Sequence, residues 1–169
     1  MSPTVWTRLD GTARGLAPFA FTVLLIMFGM VPLGVANIAP VMPALGLIAV
    51  FFWLVYRPDL MPAWAVFLVG LIQDLLGGGA LGVGVFVLLV VYAALAGQRR
   101  YIAQSSFILV WLAFLPVAAG AFFLTWLFNS LIADALLAPG PAAFQYLSTV
   151  AFYPCIAWLF LQAQRAFMR

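Results

Sequence analysis

Residues 61–97 read MPAWAVFLVGLIQDLLGGGALGVGVFVLLVVYAALAG, two apolar runs that meet at three consecutive glycines. A helix needs about 20 apolar residues to cross the ~30 Å hydrocarbon core of a bilayer, and fewer where its ends snorkel or the bilayer thins. Met61–Gly77 and Leu81–Gly97 approach this length, and the break between them is short enough to force an antiparallel arrangement. The stretch therefore predicts two neighbouring transmembrane helices.

The composition of the whole chain points to the same lipid solvent. Of 169 residues only seven are Arg and four are Asp, whereas hydrophobic residues make up 67% and the mean hydropathy is +1.21. No compact soluble fold could hide so much apolar surface behind so few charges. Without His, Lys or Glu the usual general bases and nitrogen ligands for metals are absent, so we expect neither an enzyme nor a cofactor. The scattered arginines form no basic stripe, which argues against nucleic acid as a partner.

Four further apolar segments have lengths close to that of a membrane span. Together with the first two they predict an all-α membrane protein of six transmembrane helices, at Leu16–Ala36, Val41–Tyr56, Met61–Gly77, Leu81–Gly97, Ser106–Leu131 and Ala142–Ala163. Residues 1–15 are then a short cytoplasmic leader, residues 16–164 the transmembrane domain, and residues 165–169 a cytoplasmic end. Because the second and third segments are short, a re-entrant pair is the alternative to two full crossings.

The arginines test the orientation independently, because cytoplasmic loops retain Arg and Lys while translocated loops lose them. With six crossings and the N-terminus inside, all seven fall on the cytoplasmic side: Arg8, Arg14, Arg57, Arg99, Arg100, Arg165 and Arg169. The pattern predicts that both termini are cytoplasmic and that Arg57, Arg99 and Arg100 form a cytoplasmic rim.

On this topology, most uncharged polar side chains lie toward the outer end of the bundle. Five of them form a candidate outer polar cluster: Gln73, Asn129, Gln145, Ser148 and Thr149. The last three share a helix face because they are three and four residues apart. One interpretation is a polar cavity or docking surface shared by three spans. The alternative is a set of helix-end residues that meet interfacial water.

Two features of the last spans concern packing. Pro116 and Pro154 lie inside predicted helices and are expected to kink them. Cys155 has no base nearby that would activate it, and we expect it to be a small buried side chain.

Asp74 is the most informative single residue. A charged side chain in an apolar span costs about 3 kcal/mol on insertion scales, and the helix dipole disfavours negative charge at a helix C-terminus. We expect Asp74 to accept hydrogen bonds from backbone amides of the glycine turn or from a neighbouring helix, or to stay protonated. The alternative is simple solvation in the outer headgroup region.

The residues around Asp74 carry a family resemblance. Gly70-Leu71-Ile72-Gln73-Asp74-Leu75-Leu76-Gly77-Gly78 with Leu81-Gly82, preceded by Arg57-Pro58-Asp59-Leu60 and followed by Tyr92 and Arg99-Arg100, resembles the bacterial MreD family of rod shape-determining proteins. The resemblance covers about residues 57–100, and the chain length and six-span layout also fit. The motif residues carried over by position are Gly70, Asp74, Gly77, Leu81 and Gly82, to which we assign structural or docking roles.

The resemblance implies a non-enzymatic, multi-pass inner-membrane subunit of the bacterial cell-elongation machinery. Its implied partners are MreC, a single-span protein with a periplasmic coiled coil, the cytoplasmic actin-like MreB filament, and a peptidoglycan synthase pair. That pair consists of the glycosyltransferase RodA and a class B penicillin-binding transpeptidase, and membrane lipids are further partners. The implied fold is similar to the substrate-binding subunits of energy-coupling-factor vitamin transporters.

A vitamin-binding subunit of such a transporter is the alternative function, with the outer polar cluster as its ligand site. That class ordinarily carries an Ala-x-x-x-Ala patch on its first span, and Leu16–Ala36 contains none. A lipid-modifying enzyme would need paired acidic residues or a His near one face, whereas Asp59, Asp74 and Asp134 are isolated. An adaptor that binds membrane partners is therefore the leading hypothesis.

Overall fold

The computed structural model of the protein describes residues 19–29, 42–98, 101–102 and 104–167. Within these ranges the regular structure is entirely helical. The helices are α1 (Phe19–Gly29), α2 (Leu45–Tyr56), α3 (Ala63–Gly77), α4 (Val83–Ala96), α5 (Phe107–Ile132) and α6 (Gly140–Phe167), with a short 3-10 helix at Pro58–Leu60 between α2 and α3.

The prediction of an all-α protein with six helices is confirmed for the described residues. Each helix lies at one of the predicted spans, although α6 begins before Ala142 and continues past Ala163. By length and composition, two helices could cross a membrane, Phe107–Ile132 and Gly140–Gln162, while the described parts of the other four are apolar but shorter. The flanks of the predicted first span, the leader and the final two residues lie outside the described ranges.

Proline and glycine set the ends of helices α3 and α4, which form a hairpin. Pro62 lies in extended backbone just before α3, and Gly78, just after it, has a φ of 65°. Gly82, just before α4, has a φ of 97°. These left-handed conformations favour glycine, because a Cβ would be strained there. The chain therefore reverses between α3 and α4 through a turn that we call the glycine turn, Gly77–Gly82.

Helix α2 forms the centre of the bundle. Ten of its twelve residues, Gly46 to Val55, are buried, as expected for a helix that is apolar on every side. Phe51 packs edge-on against Phe114 of α5 with ring centroids 5.0 Å apart, and Phe52 stacks on Phe160 of α6 at 4.9 Å. Helix α2 thus holds α5 and α6 together through aromatic contacts.

Polar side chains link the helices within this apolar core. The indole N–H of Trp53 on α2 donates to the Thr22 hydroxyl on α1 at 3.1 Å, and both residues are buried. The indole N–H of Trp111 on α5 donates to the Val150 carbonyl on α6, also at 3.1 Å. In an apolar environment such interhelical hydrogen bonds fix the register of helices that otherwise have only close packing to hold them.

The expectation that Cys155 is buried is wrong. Cys155 is exposed on α6, on the same side of the helix as the exposed Phe152 and Leu159. A helix that is apolar all round gives no periodicity to show which side faces its neighbours, so the sequence alone could not place this residue.

Candidate functional site at the glycine turn

The Asp74 carboxylate binds the amino end of α4. Its Oδ2 accepts hydrogen bonds from the backbone N–H groups of Gly82 at 2.8 Å and Val85 at 3.3 Å. The N–H of Gly84 lies 3.1 Å from each of the two carboxylate oxygens. The first N–H groups of a helix have no partner within the helix and carry a partial positive charge, which a carboxylate neutralises. The expectation that backbone amides bind Asp74 is confirmed.

Two glycines leave the space that this contact requires. A Cβ added at Gly84 would collide with Oδ1 of Asp74, and one added at Gly70 would lie 2.7 Å from Cα of Val85. Helices α3 and α4 can therefore approach each other closely only because both positions lack a side chain. Gly84 was not among the predicted motif residues, although its place at the start of an apolar run next to the glycine turn was a signal for it.

The five predicted motif residues take different places in this hairpin. Gly70 and Asp74 contact α4, and Gly82 supplies one of the donated N–H groups. Gly77 is the last residue of α3, and the Leu81 side chain is 67% exposed. The structure therefore unites three of them, with Gly84, in one arrangement, which we call the Asp74 clasp: Gly70, Asp74, Gly82 and Gly84.

Three members of the predicted outer polar cluster meet near the amino end of α2. Thr149 is fully buried, and its hydroxyl accepts the backbone N–H of Ala44 at 3.0 Å while donating to the Gln145 carbonyl at 2.6 Å. The Ser148 hydroxyl donates to the same Gln145 carbonyl at 2.9 Å. Both hydroxyl groups are therefore hydrogen-bonded to backbone groups, which belong to α6 and to the residue before α2.

Gln73 and Asn129 take no part in those hydrogen bonds. The side-chain oxygen of Gln73 is buried against Gly46 of α2 and has no hydrogen-bond partner among the described residues. Asn129 lies half-buried on α5. The hydrogen bonds described for the predicted cluster thus lie within α6, except the one that joins Thr149 to Ala44.

A surface groove of about 300 Å³ lies between α5 and the start of α6. It is lined by Ala119, Phe122, Phe123, Trp126, Pro139, Ala142, Ala143 and Tyr146. The indole N–H of Trp126 is occupied, since it donates to the Leu137 carbonyl at 2.9 Å. The groove, which we call the α5–α6 groove, thus offers small and aromatic side chains and suits an apolar occupant.

Only one residue of the predicted cytoplasmic rim lies in the described part of the chain. Arg57 follows α2 and is half-buried, and its backbone N–H donates to the Trp53 carbonyl at 2.8 Å. Arg99 and Arg100 lie outside the described residues, so the rim stays a prediction.

Comparison with known sequences places these features in a family. The family model for rod shape-determining protein MreD matches residues 11–163, which include the Asp74 clasp and the α5–α6 groove. No curated protein and no solved structure matches the chain, so the expected similarity to energy-coupling-factor subunits also stays a prediction. Because the match extends over most of the 169 residues, the chain belongs to the MreD family of rod shape-determining proteins.

Proposed function

We propose that this protein is a non-enzymatic, multi-pass subunit of the bacterial cell-elongation machinery in the inner membrane. The family match carries the proposal, since it assigns the chain to rod shape determination. The arginine distribution supports six crossings with both termini in the cytoplasm. A tag fused after Arg169 should then report a cytoplasmic location, and a periplasmic signal would contradict this topology.

The central partner in this proposal is an MreC-type protein, bound through its single membrane-spanning helix. The α5–α6 groove suits such a helix because helix association in lipid depends on close packing at small side chains. Ala119, Ala142 and Ala143 supply the small side chains, and aromatic rings stand beside them. Residues Ala119 and Ala143 are exposed, so a partner helix can reach them.

Other partners would meet different surfaces. The predicted cytoplasmic rim, including Arg57, is the surface on which we place the MreB-type filament. The RodA-type glycosyltransferase and the class B transpeptidase are membrane partners for which the apolar exposed faces of the bundle are available. In this way the protein would link a cytoplasmic filament to peptidoglycan synthesis.

Filling the groove tests the partner assignment. We expect Ala143→Phe to reduce co-purification of the MreC-type partner from native membranes about fivefold, which corresponds to about 1 kcal/mol of lost association. Cys155→Phe is the matched control, because it adds the same ring to an exposed position of α6 outside the groove. Equal co-purification with both variants would remove the groove from the interface.

The vitamin-binding alternative gains no specific support from the described residues. The hydroxyl groups of Ser148 and Thr149 are hydrogen-bonded to backbone, and the groove beside α5 is apolar. A calorimetric titration of the purified protein with vitamins at micromolar concentration tests this alternative directly. Clear saturable heat would favour it over the adaptor.

A further inference from the structure

Helices α2, α3 and α4 are much shorter than the bilayer that they would cross. They have 12, 15 and 14 residues, which gives about 18, 22 and 21 Å at a rise of 1.5 Å per residue. The hydrocarbon core of a bilayer is about 30 Å thick. Helix α5, with 26 residues, is about 39 Å long by the same measure.

Charged and polar groups lie at both ends of the short helices α2, α3 and α4, which we call the short block. Arg57 and Asp59 lie between α2 and α3 at one end, and Asp59 is exposed. Asp74 and the exposed glycine turn lie at the other end, where Gly82 donates to the carboxylate in an exposed hydrogen bond. Charged groups and irregular backbone are not tolerated in contact with hydrocarbon, so the apolar layer cannot extend past either end.

One side of the short block faces away from the longer helices α5 and α6, toward the periphery of the bundle. Trp64, Phe67 and Leu75 on α3 are exposed, at 55%, 44% and 61%. They lie on one face of α3, whereas Val66 and Val69 on the opposite face are buried. Gly70, which packs against Val85 of α4, lies between the two faces. At the amino end of α3, Phe19 of α1 lies beside Trp64, with ring centroids 6.2 Å apart. The exposed side chains of Phe67 and Leu75 are left open to lipid, and among the described residues α5 and α6 do not cover them.

We propose that the α3–α4 side of the bundle sits in a locally thinned bilayer and prefers lipids with short acyl chains, while the α6 side accepts lipids of ordinary length. The partner at this surface is the bilayer itself. The inference rests on the proposed function, because it requires α3 and α4 to cross the membrane. A short apolar block is accommodated by local thinning of the bilayer, by snorkelling of flanking side chains or by association with other proteins. The exposed apolar face of α3 and the charged groups at the ends of the block favour thinning, with shorter chains gathered beside it.

A first experiment tests the crossing on its own. Cys155→Ala removes the one native cysteine, and Gly79→Cys then places a thiol in the glycine turn, where an added Cβ meets nothing within 4 Å. We expect an impermeant maleimide to label this variant from outside intact cells. Leu136→Cys in the same background is the control, since Leu136 is 88% exposed between α5 and α6. Labelling of Leu136→Cys alone would overturn both the six-span topology and the thinning.

A second experiment tests the thinning. The native Cys155 carries a fluorophore on the α6 side, and Phe67→Cys with Cys155→Ala carries it on the α3 side. Quenching by a nitroxide-labelled phosphatidylcholine is measured in vesicles, in competition with phosphatidylcholine of 14-carbon or 22-carbon chains. We expect about a threefold preference for the shorter chain at Phe67→Cys and little preference at Cys155.

The outcomes separate the two proposals. Equal chain-length preference at the two sites, with Gly79→Cys labelled from outside, would overturn the thinning and leave the topology intact. If Phe67→Cys does not fold, Leu68→Cys reports on the same exposed side of α3.

Discussion

The indole N–H of Trp111 donates to the carbonyl oxygen of Val150 at 3.1 Å. Val150 lies four residues before Pro154, so its carbonyl is the one that loses its helical donor to the proline ring. Trp111 replaces that donor from the neighbouring helix. Helix α6 can therefore contain Pro154 without an unpaired carbonyl at Val150, because a side chain of α5 donates the missing hydrogen bond.

Trp111→Phe should destabilise the α5–α6 pair. The variant keeps an aromatic ring but leaves the Val150 carbonyl without a donor, which should lower the free energy of unfolding by about 1 kcal/mol. Denaturant titration of the purified protein in micelles, followed by circular dichroism, measures the change.

A second substitution isolates the cause. Pro154→Ala restores a backbone N–H at that position, and this N–H can serve the Val150 carbonyl, so Trp111→Phe should cost less in the Pro154→Ala background than in the native chain. Additive effects of the two substitutions would show that the indole acts by packing alone.

Asp74→Leu should affect folding of the hairpin. It leaves the backbone N–H groups of Gly82, Gly84 and Val85, at the amino end of α4, without their acceptor, and we expect the free energy of unfolding to fall by about 2 kcal/mol. Asp74→Asn should cost less, because the amide oxygen can still accept from some of these groups. Thermal unfolding in micelles ranks the variants. Native stability of Asp74→Leu, with loss of co-purifying partners, would instead assign Asp74 to docking.

How far the sequence predicts this arrangement depends on the residue. The chemistry of Asp74 was predictable, because a carboxylate near the end of an apolar span needs donors and a glycine turn supplies them. The helices were predictable for a related reason, since long apolar segments broken by proline and glycine leave few alternatives.

Which side of each helix faces a neighbour was not predictable. Cys155 and Thr149 lie on the same helix, and the structure exposes the first and buries the second. In lipid both sides of a helix are apolar, so hydrophobic periodicity carries little information. The contact of Thr149 with Ala44 joins positions 105 residues apart, and no local pattern indicates such a pairing.

Gly70→Ala should push α3 and α4 apart. Its Cβ would lie 2.7 Å from the backbone of Val85, which cannot move away as a flexible side chain could. We expect the free energy of unfolding to fall by about 2 kcal/mol, as for other overpacked sites. Gly79→Ala is the matched control, because its Cβ meets nothing within 4 Å. Equal stability of the two variants would contradict the close approach of these helices.

Tyr153→Phe should preserve or increase stability. The Tyr153 ring is fully buried and stacks on Phe114 with centroids 4.5 Å apart, but its hydroxyl has no hydrogen-bond partner in the described part of the chain. Removing an unpaired hydroxyl while keeping the ring should leave the free energy of unfolding unchanged or raise it by about 1 kcal/mol. Phe114→Leu, which breaks the same stack, should lower it by about 1 kcal/mol. Denaturant unfolding of the two variants separates the contributions. A clear loss of stability in Tyr153→Phe would mean that the hydroxyl binds a group outside the described residues, because only a lost hydrogen bond would then account for the difference.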